Sequence, residues 1–509
     1  MSDEKETAAV GRFASYFGKA DALLFGLFIA AILIKSISDL DLTWDSLNYH
    51  LPFAARRAGL IPAEAYQFQN WLEDCYKGIP AVPYYIYGFL WRVSRDINTP
   101  NIVSGIAFAG YCIFIARTFR APLTLAAVAF AAIPVIQINL SSVYTDLVTN
   151  VCFAGGLVLI TTILVERKQP LLWRTLGALA FISVSANFKV QFIALGGIFV
   201  VVFAFILWFV KDDGKSLLSM LGDELRRASL PVKALLPILV LLCYASALKN
   251  TIFYNNPLFP VGISVLGHHV LPGITAADVY HEPRYLDGSP EIVQWTLSVL
   301  EYLSLGFRPT PYILGQGSVA ADSQALRMGG YCAAFVLYNL GIFVWATLFS
   351  RTPRKALFGG FLALTAVVAC LPSAHELRYY SFWMLYLVSM NIALLWKWGE
   401  DRDGRRHFAF VAVAVFVFVA SITGWNAFTR KHFTVNDYIA ALDLDAIYEP
   451  RLEDGQRYCL VNWAFSPMLG SSFFHKGRSY FAREADGADC PPDLVRMDLE
   501  QLRASAAAR

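Results

Sequence analysis

Charged residues are scarce in this chain of 509 residues. Asp, Glu, Lys and Arg account for 16% of it, whereas hydrophobic residues account for 56%. Soluble domains carry about a quarter charged residues, so the composition indicates a protein that folds in lipid. The net charge of +3 is too small to provide a basic surface for nucleic acid. The composition therefore points to a membrane protein without a nucleic-acid partner.

Motifs that bind a structural metal are also missing. The eight cysteines include no C-x-x-C pair, and they form no array with histidines of the kind that holds zinc. Cys459 and Cys490 share the C-terminal tail, where an oxidising compartment would allow a disulfide, although spacing alone does not decide whether they pair. The acidic start MSDEKE lacks a cleavable signal pattern, so the first apolar run is predicted to be a retained span.

Long apolar runs are what the sequence has in abundance. A spanning helix needs about 20 mostly apolar residues. Eleven segments fit this requirement, and the chain is predicted to be an all-α polytopic membrane protein with about 11 transmembrane helices. The predicted spans are 21–38, 101–117, 122–139, 146–165, 171–187, 190–210, 233–249, 330–350, 356–372, 378–396 and 408–425.

One further segment, 80–93, decides the topology. It is short, rich in tyrosine and proline, and contains Arg92 near its end, which suits a helix lying in the membrane interface. If it does not cross, the loops rich in Lys and Arg fall on one side, and the positive-inside rule predicts a cytoplasmic N-terminus and an outside C-terminus. The predicted organisation is a transmembrane module, 1–425, with outside loops 39–100 and 250–329, followed by a small α+β domain at 426–509.

The first outside loop gathers residue types that can carry acid–base chemistry. Asp39, Asp41 and Asp45 come directly after the first span, and Tyr49 and His50 follow. Carboxylates beside a helix end are ordinarily just solvated. Here aromatic residues interleave with the acids, which favours an ordered segment at the interface. A partly desolvated carboxylate in such a segment can act as a general base on a hydroxyl or an amine.

Three more charged residues are predicted to lie on the same side of the membrane. Asp146 opens the fourth span, Lys189 lies in the turn between two spans, and Arg378 opens the tenth span after His375 and Glu376. Structural explanations exist for all three, namely helix capping for the acid and snorkelling for the two cations. Basic residues are otherwise depleted on this side, however. The two cations are therefore candidates for binding a phosphate group.

The order of these features resembles the GT-C superfamily of membrane glycosyltransferases, which includes protein O-mannosyltransferases and lipid A aminoarabinose transferases. The resemblance is carried by the acid in WDSLNYHLP, the interface helix, Asp146 in YTDL, and the Arg378-Tyr379 step. The NPLFP stretch and the turn at Lys189 also look like features of that family. The resemblance covers roughly the first 200 residues well and the rest of the chain in outline.

This resemblance implies a glycosyltransferase that moves a sugar from a polyprenyl-phosphate-linked donor to a glycan, lipid or protein. It implies a multi-pass protein of a bacterial inner (plasma) membrane, acting on the periplasmic face. A divalent metal ion, if one takes part, would bind Asp45 and Asp146. The implied roles are base or acceptor-positioning acid for Asp45, then Asp41, with Asp146 as partner; donor-phosphate binding for Arg56, Lys189 and Arg378; and lining of the acceptor site for Tyr49, His50, His375 and Glu376.

Two other classes of function fit a polytopic chain. A lipid or polysaccharide transporter would place polar groups deep inside several spans and would contain broken helices, often within an internal repeat. Here the middles of the spans are largely apolar and no repeat is visible, which weighs against transport. A non-catalytic assembly protein of the cell envelope, with the tail as its docking module, is not separated from an enzyme by the sequence.

Overall fold

Helices dominate the computed structural model. It describes residues 2–166, 170–265, 268–274, 288–301, 330–350, 354–399, 401–463, 466–475, 477–487 and 489–507, without the side chains of 2–17, 264–265 and 269. The helices are α1 (Ser2–Ser38), α2 (Leu51–Arg57), α3 (Asn70–Gly78), α4 (Val82–Ser94), α5 (Ile102–Phe119), α6 (Leu123–Ala131), α7 (Pro134–Asn139), α8 (Thr145–Val165), α9 (Leu171–Phe188), α10 (Gln191–Phe209), α11 (Leu217–Arg227), α12 (Leu230–Tyr254), α13 (Glu291–Val299), α14 (Ala333–Val344), α15 (Lys355–Ala369), α16 (Phe382–Trp396), α17 (Arg402–Ile422), α18 (Val435–Ala441), α19 (Leu444–Ile447) and α20 (Leu499–Ala507). The strands are β1 (Tyr66–Gln67), β2 (Lys211–Asp212), β3 (Lys215–Ser216), β4 (Ile263–Val265), β5 (His268–Leu271), β6 (Arg457–Val461), β7 (Phe481–Glu484) and β8 (Val495–Asp498).

The long apolar helices confirm the prediction of an all-α polytopic membrane protein. Within the described ranges, seven helical segments are long and apolar enough to cross a membrane: Gly18–Ser38, Thr99–Phe119, α8, α9, α10, α12 and α17. Three shorter apolar helical segments occupy further predicted spans, at Ala333–Phe349, α15 and α16. Ten of the eleven predicted spans therefore correspond to one apolar helical segment each.

The remaining predicted span, 122–139, is not one continuous helix. α6 ends at Ala131, and α7 begins at Pro134. Proline lacks an N–H and its ring clashes with the preceding turn, so a helix ends before it, whereas its fixed φ suits the first turn of the next helix. The N–H of Val135 instead donates to the carbonyl oxygen of Gly330, at 3.0 Å. At this break, the segment is thus hydrogen-bonded to the chain just before α14.

α4 occupies the segment that the sequence assigns to an interface helix. Its 13 residues rise about 20 Å, too little to cross a hydrocarbon core of about 30 Å. One face exposes apolar side chains, among them Tyr85, Phe89 and Val93. The opposite face packs on α2, where Gly88 lies against the carbonyl oxygen of Ala54 so closely that any side chain at this position would collide with it. Glycine therefore permits α4 to lie directly on α2.

α8 and α16 form the buried centre of the bundle, and polar pairs connect them to their neighbours. The hydroxyl of Tyr111 on α5 lies 2.8 Å from that of Ser389 on α16. The hydroxyl of Thr161 on α8 lies 2.7 Å from that of Tyr386 on α16. In apolar surroundings such groups need partners, so each pair fixes the contact between two helices.

Exposed tryptophans mark one boundary of the bundle. Trp173 near the start of α9, Trp208 near the end of α10 and Trp345 directly after α14 are 61%, 63% and 48% exposed. All three lie beside loops in which Lys and Arg are concentrated. Indole rings favour the membrane–water interface, so these positions indicate where the bilayer ends on that side.

The C-terminal tail contains a small sheet, as predicted, but the sheet also takes a strand from the loop 39–100, which the sequence predicts to be the first outside loop. Its order is β1-β7-β6-β8, and all three pairings are parallel. Tyr66 of β1 is in register with Ala482 of β7. Cys459 on β6 is joined to Cys490 by a disulfide. Because loop and tail share the sheet and one hydrophobic cluster, they fold together.

Candidate active site

The three acids of the first outside loop have different partners, and Asp39 is the one that anchors the tail. Its carboxylate accepts the backbone N–H groups of Lys431 and Phe433, at 2.8 and 3.2 Å. It also forms an ion pair with Lys35, one helical turn earlier. Burial opposes ionisation of Asp39, but these donors hold its pKa below the usual value. Asp39 therefore fixes the start of the tail to the end of α1.

Asp41 connects the first loop to the short loop before α8. One carboxylate oxygen accepts from the backbone N–H and the hydroxyl of Thr43, at 3.0 and 2.7 Å. The other accepts from the hydroxyls of Ser46 and Ser142 and from the N–H of Val143, at 2.6, 2.7 and 3.2 Å. Five hydrogen bonds leave this carboxylate little capacity for a substrate. Asp41 is thus the less suitable of the two acids predicted as a base.

Asp45 forms a buried ion pair with Arg378. It immediately precedes a π-helical turn, Ser46–His50, whereas Arg378 lies before the start of α16. Arg378 Nη1 donates to Asp45 Oδ2 at 2.7 Å, and both side chains are buried. Burial raises the pKa of Asp45, but the charge and hydrogen bond of Arg378, together with smaller contributions from neighbouring groups, leave the pKa below the usual value. Burial likewise opposes the charge of Arg378, and the carboxylate of Asp45 helps to compensate for it.

A second buried ion pair joins Asp146 to Lys189. Asp146 is in the first turn of α8, where unpaired backbone N–H groups favour a negative charge. Lys189 lies in the turn between α9 and α10, and its ammonium group donates to Asp146 Oδ1. Burial lowers the pKa of Lys189, although the charge of Asp146 counteracts this. The structure thus gives each of the two predicted acids one of the predicted cations.

Two tyrosine rings lie beside these ion pairs. The ring centroid of Tyr379 is 4.3 Å from Lys189 Nζ and 4.9 Å from the guanidinium carbon of Arg378. The ring of Tyr144 is 5.1 Å from the same guanidinium carbon. A cation over an aromatic face is stabilised when water is excluded. Tyr379 therefore brings the two pairs into a single cluster, which we call the four-charge cluster: Asp45, Arg378, Asp146 and Lys189.

His50 lies beside the four-charge cluster and is 2% exposed. Its Nδ1 is 3.3 Å from the hydroxyl of Tyr84, whereas its Nε2 has no hydrogen-bond partner in the described part of the chain. Burial is the main reason that the pKa of His50 falls to about 3. The two cations lower it further, and the two acids counteract this effect only in part. The ring is therefore neutral at physiological pH.

Asn150 on α8 is a site residue that sequence reasoning missed. Its Nδ2 donates to the carbonyl oxygens of Asp146 and Arg378, at 2.8 and 3.0 Å, and its Oδ1 accepts the N–H of Phe382 at 2.8 Å. It thus holds the segment that carries Arg378 against the helix that carries Asp146. A sequence signal existed, because Asn150 is a polar residue inside an apolar run, one helical turn after Asp146.

Comparison with known proteins finds similarity only among solved structures. No family model matches the chain, and no curated protein matches it significantly. The crystal structure of ArnT from Cupriavidus metallidurans in the apo state is similar, with 13% sequence identity, a TM-score of 0.45, and coverage of 94% of this chain and 89% of that one. The crystal structure of ArnT from the same organism bound to undecaprenyl phosphate has 12% identity, a TM-score of 0.37, and coverage of 94% and 90%. At such values the function has to be argued from the geometry of the site.

The predicted phosphate ligand Arg56 has partners outside the four-charge cluster. It forms an ion pair with Glu73 and donates to the carbonyl oxygen of Tyr66. Its guanidinium carbon lies 3.9 Å from the ring centroid of Phe68. These contacts hold the first outside loop together beside β1. The geometry therefore favours Lys189 and Arg378 over Arg56 as phosphate ligands.

The remaining predicted residues line the surroundings of Arg378 and Asp45. Glu376 Oε2 is 4.0 Å from Arg378 Nε, and His375 is buried in the same segment. The hydroxyl of Tyr49 helps to lower the pKa of Asp45, and its ring is tilted against that of His50 with 4.2 Å between the centroids. Tyr49, His50 and Glu376 thus lie beside the four-charge cluster, and their role in lining an acceptor site stays a prediction.

The donors at this site do not fit a resident divalent metal ion. In the part of the chain that the structure describes, no group of three or more His, Cys, Asp and Glu side chains is placed to hold one. The carboxylates of Asp45 and Asp146 are each paired with a side-chain cation, which competes with a metal for the same oxygens. Hard divalent ions require several oxygen ligands.

Proposed function

We propose that this membrane protein is a glycosyltransferase that moves a sugar from a polyprenyl-phosphate-linked donor to an acceptor hydroxyl or amine. The observation that supports this most is the four-charge cluster, in which two acids and two cations from four separate segments meet in a buried site. Acids and cations side by side are what transfer from a phosphate-linked donor needs, because one group must take a proton while others stabilise the departing phosphate.

Lys189 and Arg378 are the residues that bind the donor phosphate in this proposal. The guanidinium of Arg378 presents a planar set of donors, and its Nε–H makes no hydrogen bond within the described ranges. Lys189 contributes an ammonium group with three donors, of which Asp146 accepts one. The cluster as it stands is neutral, so it is suited to accept the single negative charge of a phosphodiester.

Asp45 is the base in this proposal. It is ionised in the resting protein because Arg378 stabilises its charge against burial. When the phosphate draws Arg378 towards itself, Asp45 loses part of this stabilisation and becomes a stronger base. The acceptor then gives its proton to Asp45, its oxygen or nitrogen bonds to the anomeric carbon, and the bond from that carbon to the phosphate oxygen breaks. The electron pair leaves with the polyprenyl phosphate, whose charge the two cations stabilise.

Charge and redox chemistry support one orientation in the membrane. The positive-inside rule assigns the loops rich in Lys and Arg to the cytoplasmic side. The Cys459–Cys490 disulfide suits an oxidising compartment, which agrees with a tail on the opposite side. We therefore expect a cytoplasmic N-terminus, a C-terminal region outside a bacterial plasma membrane, and transfer on that outer face.

The test is release of undecaprenyl phosphate from conjugates with glucose, galactose, mannose or N-acetylglucosamine in native membranes, which contain the acceptor. Asp45→Asn and Asp146→Asn should still insert into the membrane, and with activity normalised to the amount of folded protein both should lose transfer, Asp45→Asn by about 100-fold or more. Asp403→Asn is the matched control, because this residue is 88% exposed at the start of α17. Full activity of both cluster variants would contradict the assignment of the acids.

The same membranes separate transfer from transport. A transporter for a lipid-linked sugar would move the conjugate across the membrane of sealed vesicles with the sugar–phosphate bond intact. An assembly protein would do neither. Wild-type protein that moves the intact conjugate without releasing the sugar-free lipid would replace the enzyme proposal by the transport alternative.

A further inference from the structure

The imidazole of His50 has one ring nitrogen that the described protein does not satisfy. The residue is 2% exposed, and its Nε2 lies in the interior without a hydrogen-bond partner among the residues that the structure describes. Leaving a buried polar atom unpaired costs free energy, and native structures rarely tolerate it without a reason. The position beside the four-charge cluster suggests that the missing partner is part of a substrate.

Aromatic neighbours fix the orientation of this ring. The rings of Tyr49, Tyr144 and Tyr84 lie 4.2, 5.4 and 5.8 Å from it between centroids. The hydroxyl of Tyr84 adds the hydrogen bond to Nδ1, at 3.3 Å. A ring held on several sides presents its Nε2 in a fixed direction. It is therefore pre-organised to meet a ligand in one direction.

The chemistry of the surroundings narrows the class of that ligand group. The two acids and two cations of the cluster balance each other, and burial keeps His50 itself neutral. A phosphate would bind Lys189 and Arg378. The neutral Nε2 of His50 is therefore suited to an uncharged group of the ligand. A hydroxyl can donate or accept, so it suits Nε2 in either tautomer.

We infer that His50 Nε2 hydrogen-bonds a hydroxyl group of the sugar on the lipid-linked donor and thereby contributes to the choice of sugar. This inference rests on the proposed function, because only a glycosylated donor brings a sugar hydroxyl to the cluster. His50 is in this view a sugar-binding residue, whereas Asp45 handles the proton.

The test compares two substitutions that retain different nitrogens. In His50→Gln the amide reaches the place of Nε2, and in His50→Asn it reaches the place of Nδ1. Full-length protein in lipid nanodiscs is offered equal amounts of undecaprenyl phosphate and its glucosyl, galactosyl, mannosyl or N-acetylglucosaminyl conjugate, and native mass spectrometry gives the ratio bound. His50→Asn should lower the preference for the best conjugate by about five- to tenfold, as expected for one lost hydrogen bond, while His50→Gln retains most of it.

The controls separate a role in sugar binding from a role in folding. Binding of sugar-free undecaprenyl phosphate should be the same in both variants and in wild type, as should the melting temperature. His432→Asn makes the same chemical change at an exposed histidine and should change nothing.

Three outcomes would overturn the inference. An unchanged preference in both variants would show that His50 does not contribute to the choice of sugar. A preference lost in His50→Gln but kept in His50→Asn would show that the bond to Tyr84 is what matters. Either of these two results would leave the proposed function standing. Equal binding of sugar-free lipid and every conjugate by the wild type would overturn the proposed function and the inference together.

Discussion

Removing one partner of the Asp45–Arg378 ion pair should destabilise the protein more than removing both. The two side chains are 2.7 Å apart and only 9% and 5% exposed. A buried charge that loses its partner costs about 3–5 kcal/mol, whereas replacement of both partners is often nearly neutral. Arg378→Gln should cost about 3 kcal/mol, at the lower end because Tyr49 also stabilises the charge of Asp45. The double variant Asp45→Asn/Arg378→Gln should recover most of this loss.

The measurement is a double-mutant cycle on unfolding in mixed micelles, followed by tryptophan fluorescence. The coupling free energy is expected to be about 2 kcal/mol or more. The Arg457–Asp493 pair provides a matched control, because its charges are also 2.7 Å apart but its side chains are 55% and 58% exposed. Such an exposed pair should couple by less than about 1 kcal/mol.

The reasoning would be refuted if the two pairs coupled equally, since burial would then make no difference. A second readout separates stability from chemistry. The double variant should be folded and yet inactive in sugar transfer, because it lacks both the base and one phosphate ligand.

Two further predictions concern groups that support the site. Asn150→Leu leaves the N–H of Phe382 and the carbonyl oxygen of Arg378 without this partner, so it should cost about 1–3 kcal/mol and lower kcat for transfer. Asn139→Leu is the control, because within the described residues the Asn139 side chain donates only to the carbonyl oxygen of Val135. An unchanged kcat in Asn150→Leu would exclude a positioning role. Burial raises the pKa of Glu484 from 4.5 to about 7, where Tyr66 of β1 donates to it. Because the folded-state pKa is the higher one, this stabilisation is complete below about pH 4.5, declines as the pH rises and is gone above about pH 7. The melting temperature of Glu484→Gln should not show this decline with pH. Identical profiles of melting temperature against pH for the variant and the wild type would contradict the prediction.

The membrane character of the chain could be predicted almost completely from sequence. A spanning helix is a local property, because a window of about 20 apolar residues decides it without reference to the rest of the chain. Ten of the eleven predicted spans correspond to single apolar helical segments, and the exception breaks where Pro134 begins a new helix. The interface helix was predictable for the same reason, because its length and composition are readable in one stretch.

The partners of the charged residues depend on tertiary structure instead. Nothing local distinguishes Asp39, Asp41 and Asp45, which lie within seven residues of each other. The fold assigns Asp39 to the start of the tail and Asp41 to the loop before α8, and it leaves Asp45 for Arg378, 333 residues further along the chain. Such a pairing depends on how α8, α16 and the first loop pack.

The sequence by itself determined that this is a membrane protein, where ten of its spans lie, and which acids and cations are candidates for a common site. Only the tertiary structure decided which acid meets which cation, that Arg56 pairs with Glu73 instead, and that Asn150 belongs to the site. The physical reason is that the free energy of burying a helix in lipid is a sum over neighbouring residues in the sequence. An ion pair or a hydrogen bond between distant segments instead requires those segments to meet within about 3 Å.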